Sequence, residues 1–257
     1  MITKSVRLVT YKDGFWKSQP FPHLVIDDFF EREWAMAAVK VFPRKVDLSW
    51  TPYIHLNEMK YGFSDSISMP VTVQKLIDYF HSVDFCQQLS ELVGVTLFPD
   101  PLLIGGGLHQ TFQNGFLNIH TDFSHHPFKK NWKRRINLIW YLNENWQDNY
   151  GGNLELWKRD EKICVKSIKP IFNRMIIFLT DENSWHGSPK RLKCPKNESR
   201  KSIALYYYEQ VEGKFSDIHA TKYYNPSRNL FTRWVFELEN ILLGFFFSFR
   251  YFLKRKK

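Results

Sequence analysis

A chain of 257 residues can build one large core or two small ones, which excludes a multi-domain machine. Its 44% hydrophobic and 17% aromatic content excludes disorder, because that much apolar surface offsets the entropy lost on folding. A formal charge of +10 favours anionic partners such as dicarboxylates, acidic glycans or anionic lipid; nucleic acid ranks behind them, since no basic run lies beside an aromatic RNA-binding signature.

Phe21-Pro22-His23-Leu24-Val25-Ile26 reads as a short strand ended by Asp27 and Asp28. Glu31 to Phe42 then carries apolar residues at helical spacing until Pro43 stops it. Val73, Leu76, Ile77 and Phe80 predict a second amphipathic helix between Pro70 and Phe80, and Asp84 is the expected cap of a third that ends at Gly94. Residues 1–100 are therefore expected to form a strand and helical buttress.

Beyond Gly107 the pattern changes to short apolar and β-branched runs separated by Asn-Gly, Gly-Gly and Pro. The expected strands are Leu108–Phe112, Phe116–Asp122, Ile136–Asn143, Leu154–Trp157, Ile163–Ile168, Met175–Thr180 and Lys201–Glu209. Seven strands so spaced imply a mainly β fold with flanking helices, a jelly-roll or barrel over 101–212. Asn114-Gly115 predicts a tight hairpin, since both residues accept the positive φ of a type I′ turn. Lys129 to Arg135 reads as a basic segment able to form a lid, and Trp132, Trp140, Trp146 and Trp157 are candidates for a substrate groove or for core.

Residues 213–257 are expected to form a helical, basic-ended tail. The run Ile241 to Phe249 is apolar but is broken by Arg250, and it falls short of the ~20 residues that span a bilayer. Docking on the catalytic domain is one reading; peripheral membrane contact, helped by Lys254 to Lys257, is the other. Cys86, Cys164 and Cys194 form no CxxC pair, which fits a reducing cytoplasm, and Met1 to Arg7 lacks the apolar core of a secretion signal.

The chemistry centres on His120-Thr121-Asp122. On a strand, residues i and i+2 share a face, so the imidazole and the carboxylate project together. Such a pair is either a hydrogen-bonded couple or two ligands of a metal, and the second reading needs a third donor. His186, just after a late strand, is the best one. Two His and one carboxylate on one side of a metal form the facial arrangement of non-haem Fe(II) oxygenases, with open positions for co-substrate and oxygen. A structural zinc would be closed by four ligands, commonly thiolates, and no cysteine is near. His125 and His126 are rival ligands whose surroundings read as a loop. A 2-oxo acid reductant would need a fixed cation and hydroxyl donors; Arg200 and Ser202 share a strand face, whereas Lys201 lies on the other, and Arg200 has the forked donors that suit a carboxylate.

These motifs, with Tyr141-Leu142-Asn143, Gly151-Gly152-Asn153-Leu154 and the Pro22-His23-Leu24-Val25-Ile26-Asp27-Asp28 opening, resemble the iron(II)- and 2-oxoglutarate-dependent dioxygenases of the prolyl-4-hydroxylase-like branch. The likeness runs from about Leu108 to Glu209. It implies a double-stranded β-helix, Fe(II) on His120, Asp122 and His186, 2-oxoglutarate and O2 as co-substrates, and ascorbate as an auxiliary reductant. It further implies that Arg200 holds the distal carboxylate of 2-oxoglutarate, with Tyr141 and Ser202 as hydroxyl donors. Where the family often has a tyrosine before the His-x-Asp pair, this chain has Gln110-Thr111-Phe112. The substrate class left open is peptidyl proline, amino acid or saccharide. A non-catalytic β-sandwich binding an acidic glycan or an anionic membrane is the rival from another class.

Overall fold

The helices of the first hundred residues are held by apolar stripes and local caps. In the computed structural model, which describes residues 7–212 and 219–224, these are α1 (Lys12–Lys17), α2 (Arg32–Val41), α3 (Val71–His81) and α4 (Val83–Val93). Val73, Leu76, Ile77 and Phe80 form the buried face of α3, as the spacing predicts. The cap of α4 is Ser82 and not Asp84: the Ser82 hydroxyl accepts from the Phe85 N–H at 3.2 Å, while Gly94, at φ 90, ends the helix in the left-handed region.

The buttress is not wholly helical. Besides β1 (His23–Ile26) it contributes a hairpin, β2 (Thr51–His55) and β3 (Glu58–Phe63), that enters the main sheet. The remaining strands are β4 (Phe98–Pro99), β5 (Gly107–Phe112), β6 (Phe116–Thr121), β7 (His125–His126), β8 (Lys129–Tyr141), β9 (Leu154–Lys158), β10 (Ile163–Ile168), β11 (Arg174–Leu179), β12 (Trp185–Ser188), β13 (Ser199–Gln210) and β14 (Lys222–Tyr224). They form one curled sheet in the order β1-β11-β8-β13-β5-β3-β6-β12-β9-β10. The chain is mostly β, with a double-stranded β-helix at its centre.

Two expectations about connections are corrected. Asn114 has φ 65 but Gly115 is not at positive φ, so the turn is not type I′, and β5 and β6 do not pair with each other. β3 lies between them, pairing Gly62 with His109 and Met59 with Phe116. Gly115 is required for a different reason: a Cβ there would stand 2.7 Å from the Met59 carbonyl oxygen. Lys129 to Arg135 is also not a lid. It is the first half of β8, paired with β7 and β13, and His125 and His126 are buried strand residues rather than loop.

Strand alternation divides the interior into two environments. Ile136, Leu138 and Trp140 of β8, with Leu142 just beyond it, join the large cluster with the helices, together with Met175 and Ile177 of β11 and Ile203, Leu205 and Tyr207 of β13. The opposite faces carry Tyr141, Ile176 and Phe178 into a smaller cluster with Phe21, Leu154 and Leu156. Trp140 is thus core, its ring 4.7 Å from that of Phe30. Trp146 and Trp157 bind the Gly151 carbonyl and Glu155, and Trp132 packs on Phe98 and His126, so these tryptophans do not form a common groove.

The described residues up to Tyr223 form one compact unit. Of the expected helical tail over 213–257, Lys222–Tyr224 forms the strand β14 instead, and residues 213–218 and 225–257 lie outside the described residues. No helix among those described is long and apolar enough to cross a membrane. The three cysteines are free.

Candidate metal centre

β6 and β12 are neighbours, and their register sets His120 opposite His186 with ring centroids 4.4 Å apart. That approach depends on Gly187, where a Cβ would meet the Asn118 and Leu117 carbonyl oxygens at 2.7 and 2.9 Å. Asp122 follows the end of β6 and points the same way as His120. Its Oδ1 lies 3.7 Å from His120 Nε2 and its Oδ2 lies 3.4 Å from His186 Nε2. One donor atom from each residue falls within 4.8 Å of the others, so all three can touch a common ion. His125 and His126, the rival ligands, are not part of this group.

Backbone carbonyls orient both rings. His120 Nδ1 is 2.9 Å from the Asn118 oxygen and His186 Nδ1 is 2.8 Å from the Ser184 oxygen. A carbonyl can only accept, so Nδ1 carries the proton in each and the Nε2 lone pair faces the shared point. Burial, with the adjacent His120, pushes the His186 imidazole down to about 3, against the pull of Asp122. Burial opposes ionisation of Asp122, but Arg134, His186 and His120 overcome it and hold the carboxyl well below its usual range. Neutral imidazoles and an ionised carboxylate are the states in which these groups ligate, and a set with two nitrogens, one oxygen and no thiolate suits Fe(II).

Two residues beside Asp122 were not legible as site residues. Arg134 Nη2 lies 3.1 Å from Asp122 Oδ2, and Asn137 Nδ2 donates to the same oxygen at 2.7 Å. Both come from β8, where the register with β13 shifts between Ile136 and Arg134 and leaves Arg135 without a partner. This bulge, at which Arg135 lacks only a register partner on β13 and instead pairs with Glu209 at 3.2 Å, turns Arg134 inward with Asn137, whereas plain alternation would put Arg135 there. Arg134 is 2% exposed and lies across the Tyr206 ring at 3.4 Å from its centroid.

Deeper along the same faces are the residues expected at a 2-oxo acid. Ser202 is the register partner of Tyr141 on β8 and of His109 on β5, and Arg200 that of Thr111. Arg200 Nη1 donates to the Gly152 carbonyl at 2.8 Å, and its guanidinium lies 6.0 Å from the Tyr141 ring centroid. Burial and the positive charge of Lys60 push the His109 imidazole down to about 3, so it stays neutral in this electropositive face. No local motif marks His109 in the sequence, since its place beside Ser202 is set by the β5–β13 register; Gln110 itself binds Ser199 on the other face of β5. On the far side of Asp122, a cavity of about 190 Å³ is lined by Asp122, Phe123, Arg134, Thr180, Asp181 and others.

Residues 106–208 match the sequence profile of the 2OG-Fe(II) oxygenase superfamily. Mouse prolyl 3-hydroxylase OGFOD1 is 35% identical over 79 residues, 29% of this chain and 14% of that protein. Mouse prolyl hydroxylase EGLN3 is 30% identical over 80 residues, 31% of each chain. The chain thus spans less than a third of the length of these curated relatives. Among solved structures, a Pseudomonas putida prolyl-4-hydroxylase superposes with a TM-score of 0.55 at 14% identity, over 80% of this chain and 100% of the other. A Trichoplax adhaerens prolyl hydroxylase, in complex with a hypoxia inducible factor peptide fragment, gives 0.52 at 16% identity, over 79% and 88%. At these identities the two structures establish a shared fold.

Proposed function

We propose that this chain, whose residues 106–208 match the 2OG-Fe(II) oxygenase superfamily, is an Fe(II)- and 2-oxoglutarate-dependent hydroxylase with His120, Asp122 and His186 as its metal ligands. The observation that carries the reading is the convergence of those three donor atoms within 4.8 Å on one side of a buried space. When bound, the iron and its co-substrates supply the oxidising power of hydroxylation, with 2-oxoglutarate leaving as succinate and CO2.

The chain's own residues bind, orient and exclude water. Arg200 is the cation for the distal carboxylate of 2-oxoglutarate: with Nη1 engaged by Gly152, its remaining N–H groups are available for a carboxylate. Tyr141 and Ser202, opposite each other across β8 and β13, are its hydroxyl donors. Phe178, whose ring lies 4.6 Å from that of His186, and Ile176 keep the inner side of the site apolar.

The substrate favoured is a peptidyl proline, ahead of a free amino acid or a saccharide. Two buried donors at the cavity beside Asp122, Arg134 Nη1 and Thr180 Oγ1, have no hydrogen-bond partner among the described residues. A carbonyl oxygen near the reacting carbon would satisfy them, and a peptide offers one at every residue. Prolyl hydroxylases among the relatives point the same way. Free cysteines fit a reducing, cytoplasmic setting.

The test is succinate formation from 2-oxoglutarate by purified protein with Fe(II), with and without proline-containing peptides. A slow basal rate that rises with a peptide and vanishes in Asp122→Ala is expected. Equal turnover in Asp122→Ala would remove the metal assignment, and acceleration by sugars but not peptides would move the substrate to the saccharide class.

A further inference from the structure

We propose that Asn137, aimed by Arg134 through the bulge at Arg135, is a positioning residue that ties down one oxygen of Asp122 so that the carboxylate meets the metal through the other alone. The proposal rests on the metal centre argued above and adds to it the control of how many positions the carboxylate occupies.

The geometry is directional. A side-chain amide has a donating and an accepting end, and which end faces Asp122 is decided by Arg134. The Arg134 Nε and Nη2 groups donate to Asn137 Oδ1 at 2.8 and 2.6 Å. Guanidinium can only donate, so the amide oxygen must face it and Nδ2 must face the carboxylate. Nδ2 then donates to Asp122 Oδ2 at 2.7 Å, and Arg134 Nη2 stands 3.1 Å from the same oxygen. Two donors converge on Oδ2, which also lies 3.4 Å from His186 Nε2, while Oδ1 faces His120 Nε2 at 3.7 Å and carries neither of those donors.

Arg134 is itself fixed. Phe123 and Tyr206 flank its guanidinium, at 4.5 and 3.4 Å from ring centroid to Cζ, and the side chain is 2% exposed. Tyr206 is anchored in turn by its hydroxyl on the Gly105 carbonyl at 2.8 Å. The chain of contacts Tyr206, Arg134, Asn137, Asp122 thus runs from the sheet to a ligand with little freedom at any step. A carboxylate free to rotate can chelate a metal through both oxygens and so use up a position; one held at Oδ2 cannot do so without loosening the Asn137 hydrogen bond and the Arg134 ion pair. Asn137 lies directly opposite Tyr206 in the register and cannot slide away without moving β8 against β13.

The test is anaerobic Co(II) titration of the metal-free, full-length protein, read by affinity and by visible absorption, in the wild type, Asn137→Leu and the isosteric Asn137→Asp. The expected result is an affinity loss on the order of 10- to 100-fold in both variants, the range found when partners of metal ligands are removed, with an altered absorption intensity that reports a changed coordination number. Melting of the metal-free proteins distinguishes this from misfolding, and Asn137→Asp retains the shape should Asn137→Leu not fold. Wild-type affinity and spectrum in a folded Asn137 variant would overturn the positioning role and leave the metal centre standing. Absence of Co(II) binding by the wild type, or equal binding by Asp122→Ala, would overturn the metal centre itself and this role with it.

Discussion

His120 and His186 are register partners on adjacent antiparallel strands, their rings 4.4 Å apart, although they belong to opposite ends of the oxygenase segment. Their closeness is a property of the β6–β12 interface, and it is sensitive to anything that widens that interface. Gly187 is the point of closest approach. A methyl group there must displace the Asn118 carbonyl, which also holds His120 Nδ1. Gly187→Ala is expected to cost about 2 kcal/mol of stability and to weaken metal binding on the order of tenfold. Urea unfolding and a metal titration check the two effects separately.

Arg200→Ala should raise the concentration of 2-oxoglutarate needed for half-maximal succinate formation by roughly a hundredfold, the loss expected when a buried charge-assisted pair is removed. Metal affinity should stay at the wild-type level. Arg200→Lys should recover only part of the loss, because an ammonium cannot both hold the Gly152 carbonyl and present a forked pair of donors. Unchanged co-substrate affinity in Arg200→Ala would move the distal carboxylate elsewhere.

Asn173 joins the helical buttress to the sheet. At φ 58 and 1% exposure, its Oδ1 accepts from the Phe30 N–H and from Trp140 Nε1, both at 3.1 Å, and its Nδ2 donates to the Phe30 carbonyl at 2.7 Å. Asn173→Ala leaves three buried polar groups without partners and places a Cβ residue with no compensating side chain in the left-handed region. A loss of about 3–5 kcal/mol in unfolding free energy is expected. Metal and co-substrate affinities, measured below the transition, should be unaltered.

Glu58 sets an acid limit on stability. Burial alone would raise its pKa, but Lys60 at 3.1 Å and His55 at 2.9 Å reverse that and bring it from 4.5 down to about 2. The unfolded chain therefore binds this proton more tightly than the native one. Stabilisation from Glu58 is complete above about pH 4.5 and is lost as the pH falls from there towards 2, amounting to on the order of 3 kcal/mol. Glu58→Gln should flatten the pH dependence of unfolding in this window, and an acid limb identical to the wild type would assign the limit to other carboxylates.

Much of the fold was legible because its signals are local. Val73, Leu76, Ile77 and Phe80 mark α3 by spacing alone, and alternation puts Arg200 and Ser202 on one face, opposite Lys201, before any partner strand is known. The β2–β3 hairpin escaped notice because its burial is shallow: Tyr53 and His55 are only half-buried, so no apolar period of two stands out. The basic run from Lys129 to Arg135 reads as a segment able to form a lid because charge dominates it, yet Arg134 is buried by a bulge that only the register of β8 with β13 reveals.

What the sequence determined by itself is the set of candidate donors: His120 and Asp122 on one strand face, His186 after a late strand, and Arg200 and Ser202 sharing one face of another. Alternation along a strand is a property of the backbone, so it needs no partner to be read. What only the tertiary structure decided is the meeting of those donors across β6 and β12, the approach allowed at Gly187, and the hold of Asn137 and Arg134 on Asp122. Each of these depends on which strands are neighbours and in what register, and a one-residue slip would turn every such side chain to the other face.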